Sequence, residues 1–276
     1  MRPRDNLEPL SPERRAYLKA KQRRRRLVLA CQLGFLAAFF ALWEVAARVG
    51  WIDSFILSQP SRILETFANL SQNQLPLHVG VTLYETLVGF SLGALIGLAV
   101  SVVLWWSPFI ARVAEPYLVV LNSLPKIALG PVIIIVAGAG TRAIIFMALA
   151  ISLIVTVLEM LAGFLRTDPE YIKMAATFGA TRAQIFFKVV FPANLGTLFN
   201  SLKINIGLSL VGVIAGEFLV SKAGLGYLIV YGGQVFQLDL VMTGVLILSV
   251  MAALMYEAVA LLQKVVERRF GGQKTH

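Results

Sequence analysis

The sequence predicts an all-α, polytopic membrane protein with six transmembrane helices. Of 276 residues, 58% are hydrophobic and 14% charged, where soluble domains carry roughly 25% charged residues. Mean hydropathy is +0.76. The apolar residues gather into six long stretches, each long enough for a helix to cross a bilayer, and the polar residues collect between them. The few reactive side chains limit the chemistry available. Cys31 is the single thiol, which excludes a disulfide framework, and His78 and His276 are the two histidines. There is no G-x-x-x-x-G-K-[ST] loop, so ATP is not bound in the P-loop manner.

Residues 1–26 hold ten lysines and arginines and end in Arg23, Arg24, Arg25 and Arg26. This segment is expected to be disordered or a short surface helix, anchored on anionic lipid. The stretch 27–47 is too long for the apolar part of a secretory signal and contains Trp43 and Glu44, so it reads as a retained first span. In the extramembrane segment 48–80, Ile63, Leu64, Phe67 and Leu70 predict a short amphipathic helix on the surface. The second span, 81–104, repeats glycine every four residues at Gly89, Gly93 and Gly97, a groove for close approach of another helix. Trp105 and Trp106 follow it as an interfacial aromatic belt would. The third, 109–138, is broken by Pro116, Pro125 and Pro131, with Asn122, Ser123 and Lys126 near its middle. Irregular backbone at that depth needs protein or a wet cavity around it. The fourth and fifth spans are 143–165 and 189–215. A glycine-rich extramembrane stretch, 217–238, leads to the sixth span, 240–266, and a basic tail, 267–276.

The polar interruption 167–192 is the most informative segment. Asp168 is a candidate N-cap with Pro169 at the first helical position and Glu170 against the positive helix end. Tyr171, Met174, Ala175 and Phe178 recur at i, i+3, i+4 and i+7, which makes one apolar face, with Glu170, Lys173 and Thr177 off it. Gly179 stands where a left-handed residue ends the helix. Thr181 and Gln184 form a capping box that restarts it. With six spans, lysine and arginine number 19 on the side holding both termini and this interruption, and 4 on the other. The positive-inside rule places both termini and residues 167–192 in the cytoplasm.

Lys126 and Lys203 remain inside spans, where a lysine costs about 2.5–3.5 kcal/mol on insertion scales. Each must face water, a carboxylate or carbonyls. With Asn122, Ser123 and Asn205 they are candidates for a positive lining that attracts an anionic solute, or for structural pairs with Glu115, Glu159 or Glu217. Glu217 is a candidate for structural pairing or for an external gate. Two other readings compete. The helix–glycine–helix pattern at 168–192 is also that of a DNA-reading motif, but membrane spans tether both sides. Gly89-Phe90-Ser91-Leu92-Gly93 matches the G-x-S-x-G of serine hydrolases, which needs a strand-to-helix turn, and here it lies within a span.

On these residues the interruption resembles the EAA loop of ABC importer permeases: Glu-Ala-Ala, three residues, glycine, nine residues, Ile-x-Leu-Pro. Gly179 and Pro192 stand at the same spacing, the triplet falls on Lys173, Met174 and Ala175, and Lys173 replaces the glutamate. Leu124-Pro125, Pro131, Lys203, Glu217 and Gly224-Leu225-Gly226 resemble the permeases of aliphatic sulfonate, taurine and nitrate importers over residues 80–266. The resemblance implies a type I, MetI-like core of five helices preceded by an extra N-terminal span. It also implies a homodimer in a bacterial inner membrane, two ABC ATP-binding subunits that bind ATP and magnesium, and a periplasmic or lipid-anchored solute-binding protein. Glu170, Tyr171, Lys173, Met174, Ala175, Phe178, Gly179 and Pro192 would couple the spans to the ATPase. This chain itself would hold no cofactor or metal, bind no nucleic acid and catalyse no reaction. A secondary transporter of the same size would work without an ATPase.

Overall fold

The computed structural model describes residues 12–68 and 74–270. Leu70, Asn69, Asn73, His276, Lys274 and the first eleven residues lie outside the described residues. The chain divides into two compact units, 1–65 and 66–276.

In the first unit, α1 (Pro12–Arg48) is one helix of 37 residues, about 55 Å long at 1.5 Å per residue. It carries the Arg23–Arg26 run inside it, where disorder or a short surface helix was expected. The reason is local: from Ala16 to Leu33 the chain has neither proline nor glycine and is rich in Ala, Leu, Lys, Arg and Gln, the strong helix formers. Glu44 is held by its own neighbourhood, accepting from Arg48 Nε at 2.7 Å and from the Ser61 amide at 3.1 Å. Short helices α2 (Ser54–Leu57) and α3 (Pro60–Ala68) follow. On α3, Ile63 is buried while Leu64 and Phe67 are exposed.

The second unit is built on α4 (Leu75–Trp106), α7 (Thr141–Leu165) and α11 (Leu195–Val220). The glycine row of α4 meets small residues of α7 in step. A Cβ on Gly89, Gly93 or Gly97 would collide with Ala148, Ser152 or Thr156 respectively, so the two helices run parallel and in backbone contact. On α11, Gly212 faces the Ala148 backbone and Gly216 faces Ile144, which makes α11 antiparallel to α7. In lipid no hydrophobic force drives helices together, so this close approach is what packing can gain.

The third apolar region is a broken span. Helix α5 (Pro108–Ser123), a 3₁₀ turn (Lys126–Leu129) and α6 (Gly130–Ala137) bend by 86° at Leu124-Pro125. Pro125 and Pro131 lack the amides that would continue α5. Five described helices are long and apolar enough to cross a membrane, and the bent pair makes six. Helices α8 (Pro169–Thr177) and α9 (Arg182–Ile185) lead into a π turn (Phe186–Val190), α10 (Phe191–Ala193) and α11. The fifth span was expected over 189–215; the π turn ends at Val190, Pro192 lies in the short α10, and the long helix α11 runs from Leu195 to Val220.

The helix of the fifth span extends into the stretch 217–238. Glu217 belongs to α11, and within the glycine-rich stretch residues 225–234 form a helix, α12 (Leu225–Gln234). Leu225 and Leu228 are buried with Leu75, Ile206, Leu210 and Met251. Leu225 and Leu228, one turn apart, give this glycine-rich segment an apolar face to bury. Helix α13 (Leu238–Phe270) completes the unit.

Candidate functional site

Helix α8 forms as its sequence dictates. Asp168 Oδ1 accepts from the Glu170 amide at 2.9 Å. At the other end Gly179 has φ +78°. Its amide donates to the Ala176 carbonyl at 2.9 Å, and that of Ala180 to the Ala175 carbonyl at 3.1 Å. These two bonds are the Schellman termination. The Thr181–Gln184 capping box closes in both directions, at 2.8 and 3.3 Å. A nine-residue helix is too short to be stable alone, so α8 depends on what it packs against.

That support is aromatic. Phe186, in the π turn, is 1% exposed. Its ring lies 4.9 Å from Trp105 of α4, 5.3 Å from Phe164 of α7 and 6.1 Å from Phe191, centroid to centroid. The Arg182 guanidinium sits 5.6 Å over Trp105. Ile172 and Ala175 pack against this cluster. Tyr171, Met174 and Phe178 point away from it and are 59, 54 and 84% exposed. The expected single apolar face is therefore two: Ala175 joins Ile172 inward, and three large side chains are presented outward. Glu170 and Lys173 are exposed beside them.

Next to α8 a cleft of about 670 Å³ opens between α7, α8 and α11, lined by Glu159, Arg166, Asp168, Tyr171, Asn194 and Asn200 among others. Asn194 ties its floor together, donating to Thr167 Oγ1 and to the Val190 carbonyl, both at 2.8 Å.

The polar residues placed within spans fall into three environments. Asn122, Ser123 and Lys126 stand at the α5–α6 elbow, where Lys126 Nζ donates to the Asn122 carbonyl at 3.0 Å. Lys203 donates to Gln263 Oε1 of α13 at 2.6 Å and lies 5.5 Å over the Tyr256 ring. It pairs with an amide and a ring, and with none of the proposed carboxylates. Asn205 is fully buried and donates to Thr156 Oγ1 of α7 at 2.7 Å. It joins two helices and faces no opening.

Glu217 belongs to a buried clasp at the end of the bundle opposite α8. Thr82 of α4 donates its hydroxyl to Glu217 Oε1 at 2.6 Å and accepts from the Leu225 amide at 2.8 Å. The Gly226 amide donates to Glu217 Oε2. The Gly224 amide donates to His78 Nδ1 at 2.9 Å, and the His78 ring stacks on Tyr227. Gly224, at φ +112°, has no room for a side chain, because a Cβ there would overlap the Glu217 carboxylate.

Phe186, Phe164 and Ile172 gave no polar or motif signal in the sequence, and Trp105 was assigned to an interfacial belt. The rival readings find no geometry. Ser91 sits in mid-helix between two packed glycines, and His78 is about 20 Å away along α4 at 1.5 Å per residue. Helix α9 has four residues before the π turn, too short to read a DNA groove.

Membrane-length helices seated on glycine rows, a broken span and a short two-sided helix presented at one end define a membrane transport permease. The comparisons with known proteins agree. Residues 89–272 match the family of binding-protein-dependent transport system inner membrane components. The chain is 26% identical over 239 residues to the taurine transport system permease protein TauC of Escherichia coli, covering 84% of this chain and 86% of that one. It is 26% identical over 194 residues to the formylaminopyrimidine transport permease protein ThiX of Halalkalibacterium halodurans, covering 70% and 77%. Its fold is similar to that in an inward-facing structure of the MetNI methionine ABC transporter, with a TM-score of 0.63 at 22% identity over 71% of this chain and 97% of that one. The chain belongs to the binding-protein-dependent transport system inner membrane component family and is a permease subunit of an ABC importer.

Proposed function

We propose that two copies of this chain form the pathway of an ATP-driven importer and that α8 is the lever through which partner ATP-binding subunits move it. The observation that carries this is the two-sidedness of α8. Ile172 and Ala175 fix it to an aromatic platform shared by α4, α7 and the π turn, while Tyr171, Met174 and Phe178 offer an apolar surface outward. A short helix held this way transmits a push to two long helices at once. ATP and magnesium are bound by the partner, and the excess of basic residues orients α8 and both termini toward the cytoplasm. An external solute-binding protein delivers the solute at the opposite end. Asn122, Ser123 and Lys126 at the exposed elbow line the pathway.

The solute proposed is small and anionic, of the sulfonate, taurine or nitrate kind. Relatives named for taurine, aliphatic sulfonates and nitrate support it. One observation favours a second reading, a neutral heterocycle. Lys203 is already engaged by Gln263 and Tyr256, and other relatives are named for formylaminopyrimidine and riboflavin. Mass spectrometry of the solute retained by the cognate binding protein decides between them.

The lever is tested with Phe178→Cys in a Cys31→Ser background. Phe178→Cys cross-links to the co-purified ATPase, and Lys222→Cys at the other end does not. Cross-linking at Lys222→Cys alone would invert the topology and remove α8 from the role.

A further inference from the structure

The clasp around Glu217 contains a second carboxyl group that coupling and solute passage leave unused. Glu85 lies on α4, three residues beyond Thr82, and is 0% exposed. Neither of its oxygens has a hydrogen-bond partner. It faces Glu217 of α11 and Thr141, the first residue of α7. The other titratable groups at this end are Arg142, next to Thr141, Lys222, Tyr227 and His78, whose Nδ1 is taken by the Gly224 amide and whose ring stacks on Tyr227. No lysine or arginine pairs with either carboxyl group. Among the described residues, no three histidine, cysteine or acidic side chains are grouped to hold a metal ion.

Thr82 touches Glu217 and Glu85 stands one turn further along the same face of α4, and two neighbouring carboxylates, both buried and without a cation, cannot both be ionised at a bearable cost. Their surroundings differ in a way that assigns the charge. Glu217 has a donor on each oxygen, the Thr82 hydroxyl on one and the Gly226 amide on the other, the environment of an ionised group. Glu85 makes no hydrogen bond to a donor, although the Thr141 hydroxyl stands beside it. A protonated Glu85 supplies its own donor, and Glu217 is the acceptor within its reach.

We propose that Glu85 carries a proton that it donates to the Glu217 carboxylate, and that this shared proton fastens α4 to the α11–α12 corner. The site is a proton-binding site with a mechanical role. While the proton is present, the α4, α11 and α12 ends form one unit. Without it, two like charges face each other across the α4–α11 contact and that corner loosens. The assignment holds whether or not α8 docks an ATPase, because it rests on groups at the other end of the bundle.

The test uses the purified full chain. Infrared spectroscopy of the wild type shows the carbonyl stretch of a buried protonated carboxyl group, and Glu85→Gln removes it. Thermal unfolding separates the hydrogen bond from mere space filling. Glu85→Gln, which keeps shape and a donor, holds the melting temperature within about 2 °C of wild type, and Glu85→Met, which keeps shape alone, lowers it by about 5 °C or more. Three results would overturn the proposal. One is a wild-type spectrum without the band. Another is equal stability of the Gln and Met variants. The third is a melting temperature that rises in sodium over choline chloride in the wild type and not in Glu85→Gln, which would put a metal cation in the proton's place.

Discussion

The two ends of the helical bundle solve opposite problems. At the α8 end, Tyr171, Met174 and Phe178 expose apolar surface, while the platform beneath them is filled with aromatic rings. At the other end, Thr82, Glu85, Glu217 and His78 hide polar groups among helices, and backbone amides of the α11–α12 corner satisfy most of them. On the proposed function, the uncovered apolar side chains of α8 meet the partner ATPase. An end that buries and satisfies polar atoms is made to hold its own helices in one arrangement. On the proposed function, a corner fastened at one end and a handle at the other suit a bundle that moves as a body when pushed.

The contrast breaks first at Phe186. Removing its ring by Phe186→Ala takes the centre out of the platform, and a buried Phe→Ala change costs about 3–5 kcal/mol. The apparent melting temperature in detergent is expected to fall by roughly 10 °C. Transport is expected to be lost with it, because Ile172 and Ala175 then rest on a cavity. A variant that melts like wild type would show that α8 is not seated on this cluster.

At the clasp the weak point is Gly224. Gly224→Ala must place a Cβ where the Glu217 carboxylate lies, on a backbone at φ +112° that alanine rarely adopts. Strain of this kind costs about 1–3 kcal/mol. The expected result is a lower melting temperature with α8 still able to cross-link through Phe178→Cys. Loss of cross-linking in this variant would mean that the two ends are not separable. Gly226→Ala meets the same side chain on ordinary helical backbone and tests the overlap without the positive φ.

Much of this was legible in the sequence where the rule was local. The caps of α8, the left-handed Gly179 and the Thr181–Gln184 box follow from residues within four positions of one another. The Gly89–Gly93–Gly97 row was legible as a packing face, because any helix that repeats glycine at that spacing has one. Which helix filled it was not, since Ala148, Ser152 and Thr156 become its partners only once α4 and α7 run parallel. The aromatic platform was hidden for the same reason: Trp105, Phe164 and Phe186 are far apart in sequence, and each alone reads as membrane-facing. Glu217 looked like a pathway or gate residue because a carboxylate in a span is costly. Its partners are backbone amides of the α11–α12 corner and a threonine 135 positions away, and no composition rule points to those.

The smallest expected effect sharpens the contrast most. Lys173 occupies the glutamate position of the loop pattern that this segment resembles, and in this chain it is exposed, off the face that Tyr171, Met174 and Phe178 present. Lys173→Glu places a carboxylate three residues after Glu170, a like-charge pair that costs a helix about 0.2–0.5 kcal/mol. Stability is expected to change by no more than that. If the partner is gripped by apolar side chains and the turn at Gly179, ATP-coupled uptake in reconstituted vesicles should stay within about twofold of wild type, the equivalent of that energy. A tenfold change in uptake with unchanged stability would show that charge at position 173 takes part in the contact. Phe178→Ser then separates the two outcomes. It leaves a residue already 84% exposed without burial to lose, so its stability should match wild type while uptake falls only if the apolar grip is real.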